Sequence, residues 1–212
     1  TETASRMRAK LSRIFSYAVV LKLRIDDPAD WKLLSHVLPQ QAKIAPVKHR
    51  EAMEYHNCPA LFAKLSESDT ASAKTLQWVM LPECRSKEGR HTTWDEVDLG
   101  KRVWTLDAER TKQRRDFRIP ITDKMVEIIQ WATPLRRGEF MLTLSDGPLS
   151  DQAIAKFLKR HTFQTNTVHG LRTSFRTWCQ ETGIDDTLAE MCLGHLVGSN
   201  VRRAYARSDM FE

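Results

Sequence analysis

Thr93-Trp94-Asp95-Glu96-Val97, Val103-Trp104-Thr105-Leu106 and Phe117-Arg118-Ile119-Pro120-Ile121 are three short runs rich in β-branched and aromatic residues, separated by polar turns. Such side chains pack well on a pleated, half-buried surface, so the three runs are expected to be strands. On either side of them the apolar period lengthens to the helical one. Upstream, Cys58–Leu65 and Ala71–Leu81 read as helices, the second capped by Thr70 with Ala73, Leu76 and Met80 inward. Downstream, helices are expected over about 123–132, 150–160, 169–182, 186–193 and 199–206, with Gly183 as a C-terminal cap. The expected fold class is mainly α with a small three-stranded antiparallel β-sheet, an α+β arrangement.

Further out, residues 1 to about 25 read as a helix with Met7, Leu11, Ile14, Ala18 and Leu21 on one face and Arg6, Lys10 and Arg13 on another. Lys10 and Arg13 are candidates for neutralising phosphates. A second helix is expected after Asp27-Pro28, burying Trp31, Leu34 and Leu38 and ending at Pro39. Residues 39 to 56 then lose periodicity. The expected organisation is a small helical domain over 1–42, a linker over 43–56 and a larger domain over 57–212.

At 212 residues, 41% of them hydrophobic, the chain can bury a core. It has no apolar run of about 18 residues and no signal-peptide pattern, so a spanning helix is not expected. It starts at Thr1 rather than Met, already in a helical pattern, which suggests a piece of a longer protein. Cys58, Cys84, Cys179 and Cys192 lack the paired spacing of a zinc ribbon or a redox dithiol, so reduced thiols in the cytoplasm are expected. A net charge of +6 suits a polyanionic partner such as nucleic acid. There is no His-Glu-x-x-His, no clustered carboxylates and no glycine-rich phosphate loop, and Cys192-x-x-His195 lacks a second half. No metal site and no cofactor are therefore expected.

Three segments hold candidates for chemistry. From His169, an apolar stripe of Leu171, Phe175, Trp178 and Cys179 runs beside a second face carrying His169, Arg172 and Arg176. Leu193-Gly194-His195-Leu196 puts a histidine in an apolar turn, and Tyr205 follows ten residues later. Between the second and third strands, Arg110, Lys112, Arg114, Arg115 and Arg118 cluster, which favours contact with a nucleic-acid backbone.

His169-Gly170-Leu171-Arg172, Leu193-Gly194-His195 and Tyr205 in Ala-Tyr-Ala-Arg-Ser-Asp, taken in that order, resemble the C-terminal signature of the tyrosine recombinases, or phage integrases. Arg85-Ser86-Lys87-Glu88 is similar to the first arginine motif of that family, and Lys112 within residues 108–115 to its hairpin lysine. The closest flavour is that of prophage and genomic-island integrases. The resemblance implies a site-specific recombinase that cuts and rejoins DNA through a 3′-phosphotyrosine, without metal or ATP, to integrate or excise a mobile element. Tyr205 would be the nucleophile. His169 would be the general base and Lys112 the acid that protonates the leaving 5′-oxygen. Arg85 and Arg172 would stabilise the charge growing on the phosphate, with His195 as a further donor. Lys10, Arg13, Arg110, Arg114, Arg115 and Arg176 would contact DNA.

Pro82-Glu83-Cys84 stands where many members have a Thr-Gly pair, which leaves Arg90 as the alternative first arginine. The chain ends seven residues past Tyr205, where members commonly continue into a segment that docks on a neighbour, and an arm-binding domain would precede Thr1. The implied partners are double-stranded attachment sites, a homotetramer on synapsed DNA with a free monomer, and accessory DNA-bending and excision factors. Location would be the cytoplasm, at the bacterial nucleoid. Within the same chemistry the alternative is a Xer-like resolvase of replicon multimers. In another class it is a DNA-binding fragment that does not cleave.

Overall fold

A helix of 19 residues, α1 (Glu2–Val20), opens the chain. It stops short of the expected residue 25 because Lys22 adopts a left-handed backbone (φ 57°) and Leu23 donates back to the Ala18 carbonyl at 2.9 Å, closing the helix end. The computed structural model describes residues 2–39, 52–162 and 166–198. The chain divides into two units, Thr1–His49 and Arg50–Glu212. Most of the expected linker, the expected helix over 199–206 and Tyr205 lie outside the described residues.

In the first unit the face that makes contacts is polar. Arg8 donates to the Ala29 carbonyl at 2.9 Å and stacks over Trp31, while Ser12 and Ser16 donate to Asp27 at 2.5 and 3.2 Å. These residues recur every four positions, one turn apart, and hold the segment before α2 (Trp31–Leu34). The expectation of an apolar contact face on α1 is not met there: Met7, Leu11, Ile14 and Leu21 are exposed, and α1 buries no residue. The second helix is likewise a single turn, and Trp31 and Leu38 remain exposed.

The second unit is built around α4. Helix α3 (Cys58–Ser66) leads through a turn to α4 (Ala71–Met80), capped as expected by Thr70, whose hydroxyl accepts from the Ala73 N–H at 3.3 Å. Eight of the ten α4 residues are buried, so the helix is enclosed on every side rather than along one stripe. A further short helix, α5 (Ser86–Arg90), packs tightly against α4. At Gly89 a Cβ would come 2.5 Å from Val79 and 3.1 Å from the Cys84 sulfur, so only glycine allows this approach.

The sheet follows, with β1 (Val97–Asp98), β2 (Val103–Leu106) and β3 (Phe117–Pro120) antiparallel in the order β1-β2-β3. Trp104 pairs with Val97 on one side and Ile119 on the other. Trp104, Leu106 and Ile119 point into the core, where Trp104 packs on Trp78 of α4 with ring centres 5.1 Å apart. The first strand is shorter than expected, since Trp94–Glu96 forms a 3-10 turn. The Glu96 carboxylate accepts the Thr93 N–H at 3.1 Å and tightens the backbone there.

Four further helices lie among the described residues of the unit: α6 (Asp123–Ala132), α7 (Asp151–Thr162), α8 (Val168–Glu181) and α9 (Asp186–Cys192). Met125, Ile129, Ile154, Leu158 and Leu171 bring α6, α7 and α8 onto the same core. Gly183 caps α8 in a left-handed conformation (φ 76°), with the Ile184 N–H donating to Cys179 at 2.9 Å. Among the described residues no helix is long and apolar enough to cross a membrane.

Candidate active site

Arg172 sits in the second turn of α8 and is 5% exposed. The expected polar face of this helix is thus half-submerged: Arg172 lies within the buried face beside Leu171, while His169, one turn earlier, is exposed. Its guanidinium reaches three groups from two other parts of the fold. Nη1 donates to the carbonyl of Glu83, and Nη2 donates to the carbonyl of Leu193 at 2.7 Å. Nη2 also lies 3.3 Å from Nε2 of His195. Glu83 stands two residues before Arg85 and Leu193 two residues before His195. One buried side chain therefore pins both loops that carry its expected companions.

Two of those three groups are backbone carbonyls, which carry no charge. The Arg172 charge is lowered from the usual arginine range, first by burial and then by the like charge of Arg85. Glu83, the carboxyl next to it, does not cancel that charge at neutral pH, because burial pushes it up to about 8 against the opposing pull of Arg172. Its Oε2 is buried with no hydrogen-bond partner among the described residues, and its backbone is left-handed (φ 50°). It lies in the Pro82-Glu83-Cys84 stretch, where the resemblance calls for a Thr-Gly pair, and glycine is the residue that takes such a φ most easily. Two guanidinium groups held close with incomplete neutralisation favour an anion between them.

Arg85 is fixed from its own helix. The Glu88 carboxylate accepts the Arg85 backbone N–H at 2.8 Å and its Nη1 at 2.9 Å, while Glu88 is itself 4% exposed. Arg90, the alternative first arginine, points elsewhere: it bonds Ser86 and the Leu149 carbonyl and lies 3.5 Å from Asp151 at the start of α7. Arg85 thus acts electrostatically on Arg172, whereas Arg90 is held against the start of α7.

His195 is placed by a helix end. Gly194 is left-handed (φ 62°), and a Cβ there would come within 3.3 Å of Phe117. The resulting turn lets the His195 N–H donate to the Glu190 carbonyl at 2.9 Å. Lys112 lies in the connection from β2 to β3 and is exposed. Thr111 beside it is buried, and its hydroxyl donates to the carbonyls of Arg115 at 2.7 Å and Ala108 at 3.2 Å. The anchor is inside and the lysine outside.

The expected DNA-contacting set separates in the structure. Lys10, Arg13, Arg114 and Arg115 are exposed. Arg110 and Arg176 are engaged within the fold instead. Arg110 pairs with Glu96 and donates to the Glu88 carbonyl at 2.9 Å, bracketing the Lys112 loop to the helix of Arg85. Arg176 pairs with Asp186 at 3.0 Å and Glu190 at 2.8 Å. A separate cavity of about 310 Å³ lies between α5 and this loop, lined by Lys87, Glu88, His91 and Arg110, and none of the five expected catalytic residues that are described lines it. His91 there is lowered from its usual range, first by burial and then by the cations around it.

Arg172 contacts His195 and lies within the electrostatic reach of Arg85; Lys112 and His169 are exposed, and Tyr205 lies outside the described residues. Glu83, Glu88, Glu96 and Glu190 were absent from the expected set. Only the spacing Arg85-x-x-Glu88, one helical turn, was visible beforehand as a signal for any of them.

Comparison with known proteins adds three findings. A family model described as Phage integrase family matches residues 51–212. Prophage integrase IntA of Escherichia coli (strain K12) is 33% identical over 140 residues, covering 64% of this chain and 34% of that protein. Prophage integrase IntZ of the same organism is 29% identical over 192 residues, covering 86% and 45%. The chain thus spans less than half the length of these two relatives. In fold it is similar to a lambda integrase(75-356) dimer bound to a COC' core site, with a TM-score of 0.66 at 17% identity, covering 100% of this chain and 74% of that one.

Proposed function

This chain belongs to the phage integrase family, and from that membership we propose that it is the catalytic part of a site-specific DNA recombinase that integrates or excises a mobile element. The observation that carries the reading is the Arg172 centre: a buried guanidinium, bonded to two uncharged backbone carbonyls, in contact with His195 and within the electrostatic reach of Arg85. A phosphodiester at this centre would have its non-bridging oxygens between two guanidinium groups in a partly desolvated setting, where their growing charge is stabilised most.

In the proposed step the Tyr205 oxygen forms a bond to phosphorus as the bond from phosphorus to the 5′-oxygen breaks. The tyrosyl proton passes to His169, and Lys112 gives a proton to the departing 5′-oxygen. A 3′-phosphotyrosine and a free 5′-hydroxyl result. Because the ester retains the energy of the broken bond, attack by a partner 5′-hydroxyl reverses the step without ATP or metal. Exchange between two duplexes needs four cleavages and hence a homotetramer on synapsed DNA, an arrangement supported by a lambda integrase tetramer bound to a Holliday junction that this fold resembles at a TM-score of 0.66. Accessory proteins would bend the DNA.

The reading is tested by trapping the covalent adduct on nicked suicide DNA taken from the element's ends, with the Tyr205→Phe chain alongside. An adduct present in the first and lost in the second is expected. DNA binding without an adduct from either chain points to a binding-only fragment, and an adduct that survives in Tyr205→Phe refutes the nucleophile.

A further inference from the structure

Glu190 stands between Arg176 and His195, yet no motif singles it out. It lies on α9 five residues before His195, and the left-handed turn at Gly194 folds the chain back so that its Oε2 is 2.5 Å from Nδ1 of His195. Its other oxygen, Oε1, accepts from Nε of Arg176 at 2.8 Å, and Nη2 of Arg176 donates to Asp186 at 3.0 Å. On the opposite edge of the imidazole, Nη2 of Arg172 approaches Nε2 at 3.3 Å. Asp186, Arg176, Glu190, His195 and Arg172 thus form one continuous chain of polar contacts from the exposed end of α9 to the buried centre of the site.

The two ends of the imidazole are specified by opposite rules. An ionised carboxylate only accepts hydrogen bonds, so Nδ1 must carry a proton to bond Glu190. A guanidinium only donates, so a neutral imidazole must offer Arg172 the lone pair of Nε2. Both contacts select the same tautomer, and neither can be made by the other one.

We propose that Glu190 is a positioning residue of the recombination site: it holds the His195 ring by its Nδ1 proton, so that Nε2 faces the Arg172 centre, with a lone pair there in the DNA-free chain and, once a second proton is taken up, an N–H for the reacting phosphate. The inference rests on His195 belonging to that site. Arg176 acquires a role through it: engaged on both sides by carboxylates, it holds Glu190 against the imidazole. Glu190 acts through His195 and need not touch DNA.

The test uses the full chain labelled with ¹⁵N-histidine, with His195→Gln to assign the resonances. Above about pH 7.5, where an ordinary imidazole is neutral, His195 is expected to show a protonated Nδ1 and a bare Nε2. In Glu190→Gln, whose amide can either donate or accept, only the Arg172 contact still selects, and the share of the other tautomer is expected to rise. Adduct formation in a single turnover should fall roughly tenfold or more, with DNA affinity unchanged. A protonated Nε2 in the wild-type chain overturns the proposal, as does a Glu190→Gln chain that cleaves at the wild-type rate. If the wild-type chain forms no Tyr205 adduct at all, the functional reading fails instead, and the nitrogen spectrum still decides the tautomer.

Discussion

Arg172 and Lys112 carry the same charge under opposite conditions. The arginine is buried and bonded to two backbone carbonyls and an imidazole. The lysine is exposed, and the loop beneath it is organised by the buried Thr111 hydroxyl instead. The difference follows from what each task requires. Electrostatic stabilisation is strongest when the donors are already fixed and shielded from water, so that nothing reorganises as charge develops. A proton donor has to reach an oxygen that moves, and an ammonium on a long stem does so best from the surface.

The comparison breaks most severely at its fixed end. Arg172→Ala should reduce adduct formation about a thousandfold, since a preorganised donor to the phosphate is lost. It should also lower the melting temperature by several degrees, because the Glu83 and Leu193 carbonyls lose their donor, at about 1–3 kcal/mol for the groups left unpaired. Lys112→Ala should cost about a hundredfold in cleavage with melting almost unchanged, as an exposed side chain contributes within ~0.5 kcal/mol. A substrate with a sulfur leaving group at the 5′ position needs no proton and should restore most of the Lys112→Ala rate. Restoration of Arg172→Ala by that substrate would erase the distinction between the two residues.

Glu83 sharpens the fixed end through pH. Its folded-state value near 8 lies above the 4.5 of an ordinary glutamate. Between those values the unfolded chain releases a proton that the folded chain keeps. Stability therefore falls as pH rises from about 4.5 to 8, on the order of 2–4 kcal/mol in total. Glu83→Gln should flatten that part of the curve in chemical unfolding experiments. It should also remove a loss of cleavage above pH 8, where an ionised Glu83 competes with phosphate for Arg172.

Smaller effects come from the supports. Gly194→Ala should destabilise by about 1–2 kcal/mol, because a Cβ at φ 62° is strained and meets Phe117 at 3.3 Å. It should slow cleavage through His195. Arg115→Ala, at the exposed end, should weaken DNA binding only a few-fold while reducing the slope of log affinity against log salt by about one. Arg110→Ala should leave that slope unchanged and instead lower melting, since its guanidinium is paired with Glu96 and bonded to the Glu88 carbonyl.

How far the sequence could be read depends on the range of the interaction. Strands β2 and β3, the caps at Thr70 and Gly183 and the helices around them follow from local pattern and turn chemistry, and they appear nearly as expected. The failures arise where distant segments meet. Arg110 and Arg176 are indistinguishable from Arg114 and Arg115 in composition, and only their carboxylate partners, 14 residues away for Arg110 and 10 for Arg176, take them into the fold. The apolar face of α1 reads as a contact face by periodicity, but the described contacts fall on Arg8, Ser12 and Ser16.

By itself the sequence determined the fold class, the boundaries of most elements and, through the order of His169, Arg172, His195 and Tyr205, the resemblance that names the chemistry. Periodicity, capping and motif spacing are local properties and survive being read along a line. Tertiary structure alone decided that Arg85 acts electrostatically on Arg172 while Arg90 is held against the start of α7, that Glu83 is a neutral neighbour to Arg172 at pH 7, and that Glu190 stands behind His195. Each of those outcomes depends on burial and on donors meeting acceptors up to 89 residues apart, as between Arg172 and Glu83. Desolvation and hydrogen-bond geometry exist only once the chain has closed around them.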